Sequence, residues 1–143
     1  MSYRIRTLTL ADYEAAAALW RSLPGIGWDG PSDSREGIAR FLRRNRGLSL
    51  AAEDGGALVG TALVGHDGRR AFIYHLAVAP SHAGRGIGRA LVARALRSLA
   101  ACGVPKCSVL VLDTNTGGAA FWQKIGWTRR GDVHVFQHAT PQS

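Results

Sequence analysis

The sequence predicts an α/β (α+β) fold in a single domain, with a mainly antiparallel sheet packed against amphipathic helices. Three observations lead there. Two hairpin turns, Asp54-Gly55-Gly56 and Asp67-Gly68, link three consecutive apolar runs as neighbouring strands. A stretch from about Gly86 to Ala101 carries Ile87, Leu91, Val92, Ala95, Leu96 and Leu99 on one helical arc, with Arg94 and Arg97 opposite. The length, 143 residues with 46% hydrophobic and 20% charged, suffices for one buried core and is too short for two. The expected domain therefore spans 1–143, with its core within 3–138.

The elements follow in order. Arg4 and Arg6 alternate with Tyr3 and Ile5 in a first strand. Thr9, followed three residues on by Asp12, starts an alanine-rich helix from Ala11 to Ser22, and Pro24-Gly25 stops it. One Ser or Asp of Ser32-Asp33-Ser34 caps a second helix from about Arg35 to Asn45, with Ile38, Phe41 and Leu42 on one face. The hairpin-linked strands run over Leu48–Glu53, Ala57–Gly65 and Ala71–Val78. Cys107–Leu112 is almost wholly apolar, which predicts a central strand covered on both faces. Asn115-Thr116 caps a short helix ending at Gly126, and Trp127 and Val133–Gln137 read as two last strands.

Composition narrows the function classes. Eighteen Lys and Arg against ten Asp and Glu give +8, which favours a nucleic acid, a lipid surface or a phosphorylated cofactor as partner. No apolar run is long enough for a membrane helix and the N-terminus alternates as a strand does, so a soluble cytoplasmic protein is expected. Cys102 and Cys107 form neither a disulfide framework nor a metal site, and no metal is expected.

Gly84-Arg85-Gly86-Ile87-Gly88 lies between a strand and an amphipathic helix, where main-chain N–H groups can converge on a phosphate. Arg85 and Arg89 flank it. It is not a P-loop, because Arg89-Ala90 follows Gly88 where Lys-Ser/Thr would be required. The Rossmann fingerprint fails too, since its glycine spacing differs and the preceding strands are hairpin-linked.

Leu76-Ala77-Val78-Ala79-Pro80 followed by Gly84-Arg85-Gly86-Ile87-Gly88-Arg89-Ala90-Leu91 resembles the acetyl-CoA pyrophosphate motif of the GNAT superfamily of N-acetyltransferases. Asn115, Ala119, Phe121-Trp122 and Gly126-Trp127 resemble that family's C-terminal pattern at matching spacing. The resemblance implies about seven strands and four helices, with strands four and five splayed around a pantetheine arm. It implies main-chain contacts to that arm from Leu76, Ala77 and Val78, and N–H groups from Ala83, Gly84, Arg85, Gly86, Ile87 and Gly88 around the diphosphate, with Arg89 beside them. Asn115 and Phe121 would line the far side, and acetyl-CoA would be the co-substrate. A homodimer is one arrangement the resemblance allows.

Two departures bear on the chemistry. Ala83 stands where the family has Gln or Arg, and Trp122 stands where it has the tyrosine that protonates the leaving thiolate. An indole N–H has no useful acidity near neutral pH. The fourth strand, Phe72-Ile73-Tyr74-His75, has no carboxylate, so Tyr74 and His75 are the candidate bases. Strand neighbours face opposite sides, so only one of them should enter the acceptor cleft. His75 has the better intrinsic chemistry, and His134 is a further candidate. Trp28, Asp29 and Trp122 are expected near the acceptor amine, with Asp33 more simply a helix cap.

These residues suggest acetyl transfer from acetyl-CoA to a primary amine, on a small molecule, a protein N-terminus or a lysine, in a ternary complex. The alternative is a CoA-binding module with little turnover. Nucleic-acid binding is disfavoured, because the chain lacks the interleaved aromatic and basic residues of single-strand binders.

Overall fold

A computed structural model of the chain describes residues 2–142. The elements are β1 (Tyr3–Thr7), a 3-10 turn (Leu10–Asp12), α1 (Tyr13–Ser22), α2 (Gly30–Asp33), α3 (Arg35–Arg44), β2 (Leu50–Asp54), β3 (Ala57–His66) and β4 (Ala71–Val78). A second 3-10 turn (Pro80–His82), α4 (Ile87–Ala101), β5 (Cys107–Ser108) and α5 (Thr116–Lys124) complete them. The strands form one sheet in the order β1-β2-β3-β4-β5, antiparallel except for the β4–β5 pair. The hairpins expected from the two Asp-Gly turns join β2 to β3 and β3 to β4.

The sheet separates two apolar layers. On one face, Ile87, Leu91, Val92, Ala95 and Leu99 of α4 pack with Trp122 of α5 against Leu50, Ala52, Val59, Ala62 and Val64. On the other, Tyr13, Ala16, Ala17 and Trp20 of α1 and Ile38 of α3 meet Ala51, Leu63 and Ala77. β3 feeds both layers from alternate positions, which is why it is buried almost throughout.

Local chemistry explains the helix starts. The Asp12 carboxylate accepts from the Thr9 N–H at 2.9 Å ahead of α1, and Ser34 Oγ accepts from the Gly37 N–H at 3.0 Å at the start of α3. Ser34, not Asp33, is therefore the cap. Asn115 caps α5 by accepting from the Gly118 N–H at 2.9 Å.

The structure corrects the expected sheet, with five strands in place of seven among the described residues and five α-helices, one of only four residues, in place of about four. The expected central strand from Cys107 is the sheet's edge, paired only through Ala71–Cys107 and Phe72–Ser108. Leu110 and Leu112 are more than half exposed. Trp127 and Val133–Gln137 form no strands, and Phe136 is 93% exposed. An alternating pattern supplies one sticky face but no pairing partner, and the ladder ends where β5 leaves β4. Among the described residues no helix is long and apolar enough to cross a membrane.

Candidate active site

Beyond Phe72, β4 has no β5 partner, and a cavity of about 180 Å³ opens there. Leu76 and Val78 of β4 form one wall, Gly88 the floor, and Asn115, Gly118, Phe121 and Trp122 the opposite wall. This is the splay expected between the fourth and fifth strands. The unpaired edge of β4 can bond an extended ligand as an added strand would. Ala77 faces the other layer, so only its main chain is available to such a ligand.

The glycine-rich turn stands next to this cavity. Gly84 and Gly86 have φ of +77° and +79°, a left-handed backbone that glycine adopts without strain. Gly86 is the N-cap of the 15-residue α4, so the N–H groups of Ile87, Gly88 and Arg89 begin the helix without intrahelical partners. Ile87 is buried and contributes main chain only, whereas Arg85 and Arg89 are exposed. A Cβ on Gly88 would lie 3.2 Å from Phe121 Cζ. These donors, the helix dipole and the two arginines suit a diphosphate, and the adjoining slot suits its extended tail. A shallower groove of about 550 Å³ between β1 and α4, lined by Arg4, Arg94 and Arg97, lies apart from these donors.

One residue before Leu76 the strand departs from regular geometry. Thr61 faces Ala77 and Leu63 faces Tyr74, so two steps along β3 span three along β4. The extra residue is accommodated at His75, whose φ of +48° makes it the one non-glycine at positive φ among the described residues. Such a bulge re-aims side chains. Tyr74 and His75 consequently share the face of α1 and α3, which overturns the expectation that they face opposite sides.

A buried chain of hydrogen bonds holds the bulge. Trp20 Nε1 donates to Thr61 Oγ1 at 2.8 Å, and Thr61 Oγ1 donates to the His75 carbonyl at 2.9 Å. The His75 ring packs 4.7 Å from the Trp20 ring, centroid to centroid. Its Nε2 is 2.8 Å from Oδ1 of the buried Asp33. The other carboxylate oxygen accepts from the Asp29 N–H at 2.8 Å, and the Asp33 carbonyl accepts from the Tyr13 hydroxyl at 2.7 Å. Asp33, Thr61 and Trp20 were not among the sequence-predicted site residues. Asp33 reads locally as a cap, and no sequence signal marks a histidine in the left-handed region.

The other candidates fall into place around this centre. Tyr74 stacks on Phe72 and meets Phe41 edge-on. Burial, reinforced by the Cys107 thiol, pushes its hydroxyl above the ordinary range, so it is a worse proton-transfer group than a free phenol. His134 lies on the exposed C-terminal segment. The His66 ring accepts from the Gly68 N–H within its turn, and its main-chain N–H donates to Asn45 Oδ1. Trp122 lines the cavity on the α5 side and packs on Trp127, 4.4 Å between centroids, while Arg21 covers the Trp28 ring at 4.0 Å. Asp29 is exposed beside Trp28. The α1–α2 loop that carries both reaches over the splay, where the Gly25 carbonyl accepts from Asn115 Nδ2 at 3.4 Å.

A β4–β5 pair that parts beside a glycine-capped helix N-terminus is the arrangement of a class: proteins that could hold a CoA thioester along a strand edge. Comparison with known proteins agrees. A model described as the Acetyltransferase (GNAT) family matches residues 8–127. An acetyltransferase of Yersinia enterocolitica is 33% identical over 130 residues, covering 90% of each chain. Another from Pectobacterium atrosepticum is 34% identical over 122 residues, covering 85% of this chain and 84% of that one. The solved structure of the PaiA N-acetyltransferase from Thermoplasma acidophilum in complex with coenzyme A superposes with a TM-score of 0.74 at 20% identity, covering 90% of this chain and 91% of that one. The chain belongs to the GNAT family of acetyl-CoA-dependent N-acetyltransferases.

Proposed function

We propose that the protein transfers acetyl from acetyl-CoA directly to a primary amine, with His75 as the proton acceptor. One observation carries this reading: His75 and Leu76 are consecutive yet face opposite sides of β4. Leu76 lines the slot suited to the cofactor, and His75 faces the helices and loop that would border the acceptor. The two reactants would thus approach one strand from its two sides, and their alignment can supply the larger share of the rate.

Acetyl-CoA supplies a thioester whose acyl carbon takes the amine and whose sulfur leaves as thiolate. The chain's part is to hold that donor through the α4 N–H groups, Arg85, Arg89 and the β4 edge, and to take the amine's proton at the His75 imidazole. Main-chain N–H at Leu76 or Val78 would polarise the acyl oxygen. Trp122 offers no acid, so the thiolate departs without a proton from that position. Asp29, exposed at the mouth, would attract the acceptor's ammonium.

A thiol-release assay with acetyl-CoA and a panel of amines tests this. Acceptor-dependent CoA production is expected, and tight binding without turnover would favour the binding-module reading. His75→Ala should lower kcat on the order of 100-fold with the KM for acetyl-CoA unchanged. Full turnover in that variant would remove His75 from the mechanism. Gly86→Glu should abolish CoA binding, by forcing a side chain onto a left-handed residue and setting a carboxylate against the diphosphate; unaltered affinity by calorimetry would refute the placement.

A homodimer belongs to the same proposal. Leu110, Leu112, Val133, Val135 and Phe136 leave apolar side chains uncovered, and β5 leaves one sheet edge open. Equilibrium sedimentation showing a monomer at micromolar concentration would reject it.

A further inference from the structure

We infer that Asp33 is a positioning residue for the reaction: it fixes His75 in the tautomer that carries its proton on Nε2, leaving Nδ1 as the nitrogen that receives the amine's proton. The inference rests on the reading of His75 as the proton acceptor and adds to it a residue, an atom and a direction.

The carboxylate has two oxygens and each is committed. Oδ2 accepts from the Asp29 N–H at 2.8 Å, and Oδ1 lies 2.8 Å from His75 Nε2. A carboxylate can only accept, so Nε2 must donate. In the neutral ring the remaining nitrogen, Nδ1, then carries the lone pair. Nδ1 makes no hydrogen bond among those of the described residues. No buried side-chain nitrogen or oxygen among these residues lacks a partner. Nδ1 is therefore not sealed in the core, and it is the ring nitrogen left to meet an acceptor amine.

The rest of the site restrains this ring rather than competing for its proton. Trp20 packs against the imidazole, and its N–H goes to Thr61, not to the ring. Thr61 in turn holds the His75 carbonyl and so the bulge. When Nδ1 takes a proton, the imidazolium formed sits against the Asp33 carboxylate, as in an acid–base pair oriented by a third group.

Asp33→Asn makes the decisive variant, because the surroundings dictate which way the amide points. The Asp29 N–H can donate only to the amide oxygen, which turns the Asn NH2 toward His75. Nε2 must then accept, and the proton moves to Nδ1, blocking the base. Nitrogen-15 NMR of the ring should show Nε2–H in the wild-type protein and Nδ1–H in Asp33→Asn. kcat should fall at least tenfold, with the KM for acetyl-CoA and the CoA affinity unchanged.

A wild-type ring protonated on Nδ1 would overturn the inference whether or not the variant folds. So would wild-type kcat in a folded Asp33→Asn protein. These outcomes differ from failure of the underlying reading: His75→Ala at full turnover removes the base itself, whereas a crippled His75→Ala beside an unimpaired Asp33→Asn removes only the role of Asp33.

Discussion

Residues act here through the partners their neighbours leave them. Thr61 is fully buried and is the sole acceptor for the buried Trp20 N–H. Thr61→Val keeps the shape but orphans that donor and releases the His75 carbonyl. Such a loss costs about 1–3 kcal/mol, which urea denaturation should register together with a reduced kcat. The two cysteines differ as sharply. Burial pushes the Cys107 thiol up to about 11, while Cys102 is exposed after α4. Only the thiolate reacts, so a disulfide reagent at pH 8 should modify Cys102 first, and Cys107 at a rate that depends on denaturant. Equal rates in the native protein would contradict the burial. His75 could be named as a candidate base from sequence because imidazole chemistry is a property of the residue. Its direction could not be read, because alternation fails at a bulge and a bulge centred on histidine carries no glycine to announce it. Asp33 was hidden for the opposite reason: between two serines ahead of a helix, an aspartate has an ordinary local explanation.

Elements were legible wherever periodicity and punctuation agreed. α4, the three hairpin-linked strands and the Asn115 cap emerge close to their expected bounds, since each has an apolar face and a turn residue that stops it. The segments after β5 have the apolar pattern without the partner, and pairing is a property of two strands that one sequence stretch cannot encode. β1 shows a further kind of information outside local pattern. Glu53 is bound with Asp12 to the Arg6 guanidinium, joining β1, β2 and the turn before α1. Hydrogen bonds from Arg6 hold both carboxyls below their ordinary range. Because these folded values are depressed, the stabilisation is present above the unfolded carboxylate value of about 4 and is lost as pH falls through the lower folded values. Arg6→Gln should therefore shift the acid-unfolding midpoint of the wild-type protein upward. A midpoint unmoved by the substitution would show that the cluster does not couple to folding.

At the scale of the whole molecule, a charge of +8 fits the polyanionic end of the proposed co-substrate. Its sign alone could not distinguish that ligand from nucleic acid; the glycine-capped N-terminus of α4 beside the β4 slot, proposed to take the diphosphate, supplies the distinction. Long-range attraction to a phosphate group is screened over about 8–10 Å at physiological salt, whereas the proposed contacts along the β4 edge would be short and uncharged. The two contributions can therefore be separated by the ligand's own chemistry. CoA affinity should fall steadily as sodium chloride rises from about 50 to 500 mM, because screening weakens the field of Arg85, Arg89 and the rest of the basic surface. Acetyl-pantetheine has the same tail and no phosphate, so its weaker binding should be nearly indifferent to salt. Arg85→Ala combined with Arg89→Ala should flatten the CoA dependence toward that of acetyl-pantetheine while leaving the acetyl-pantetheine affinity unchanged. If salt weakens both ligands equally, the charge of this protein has no special relation to its cofactor and the diphosphate is held by neutral main-chain contacts alone.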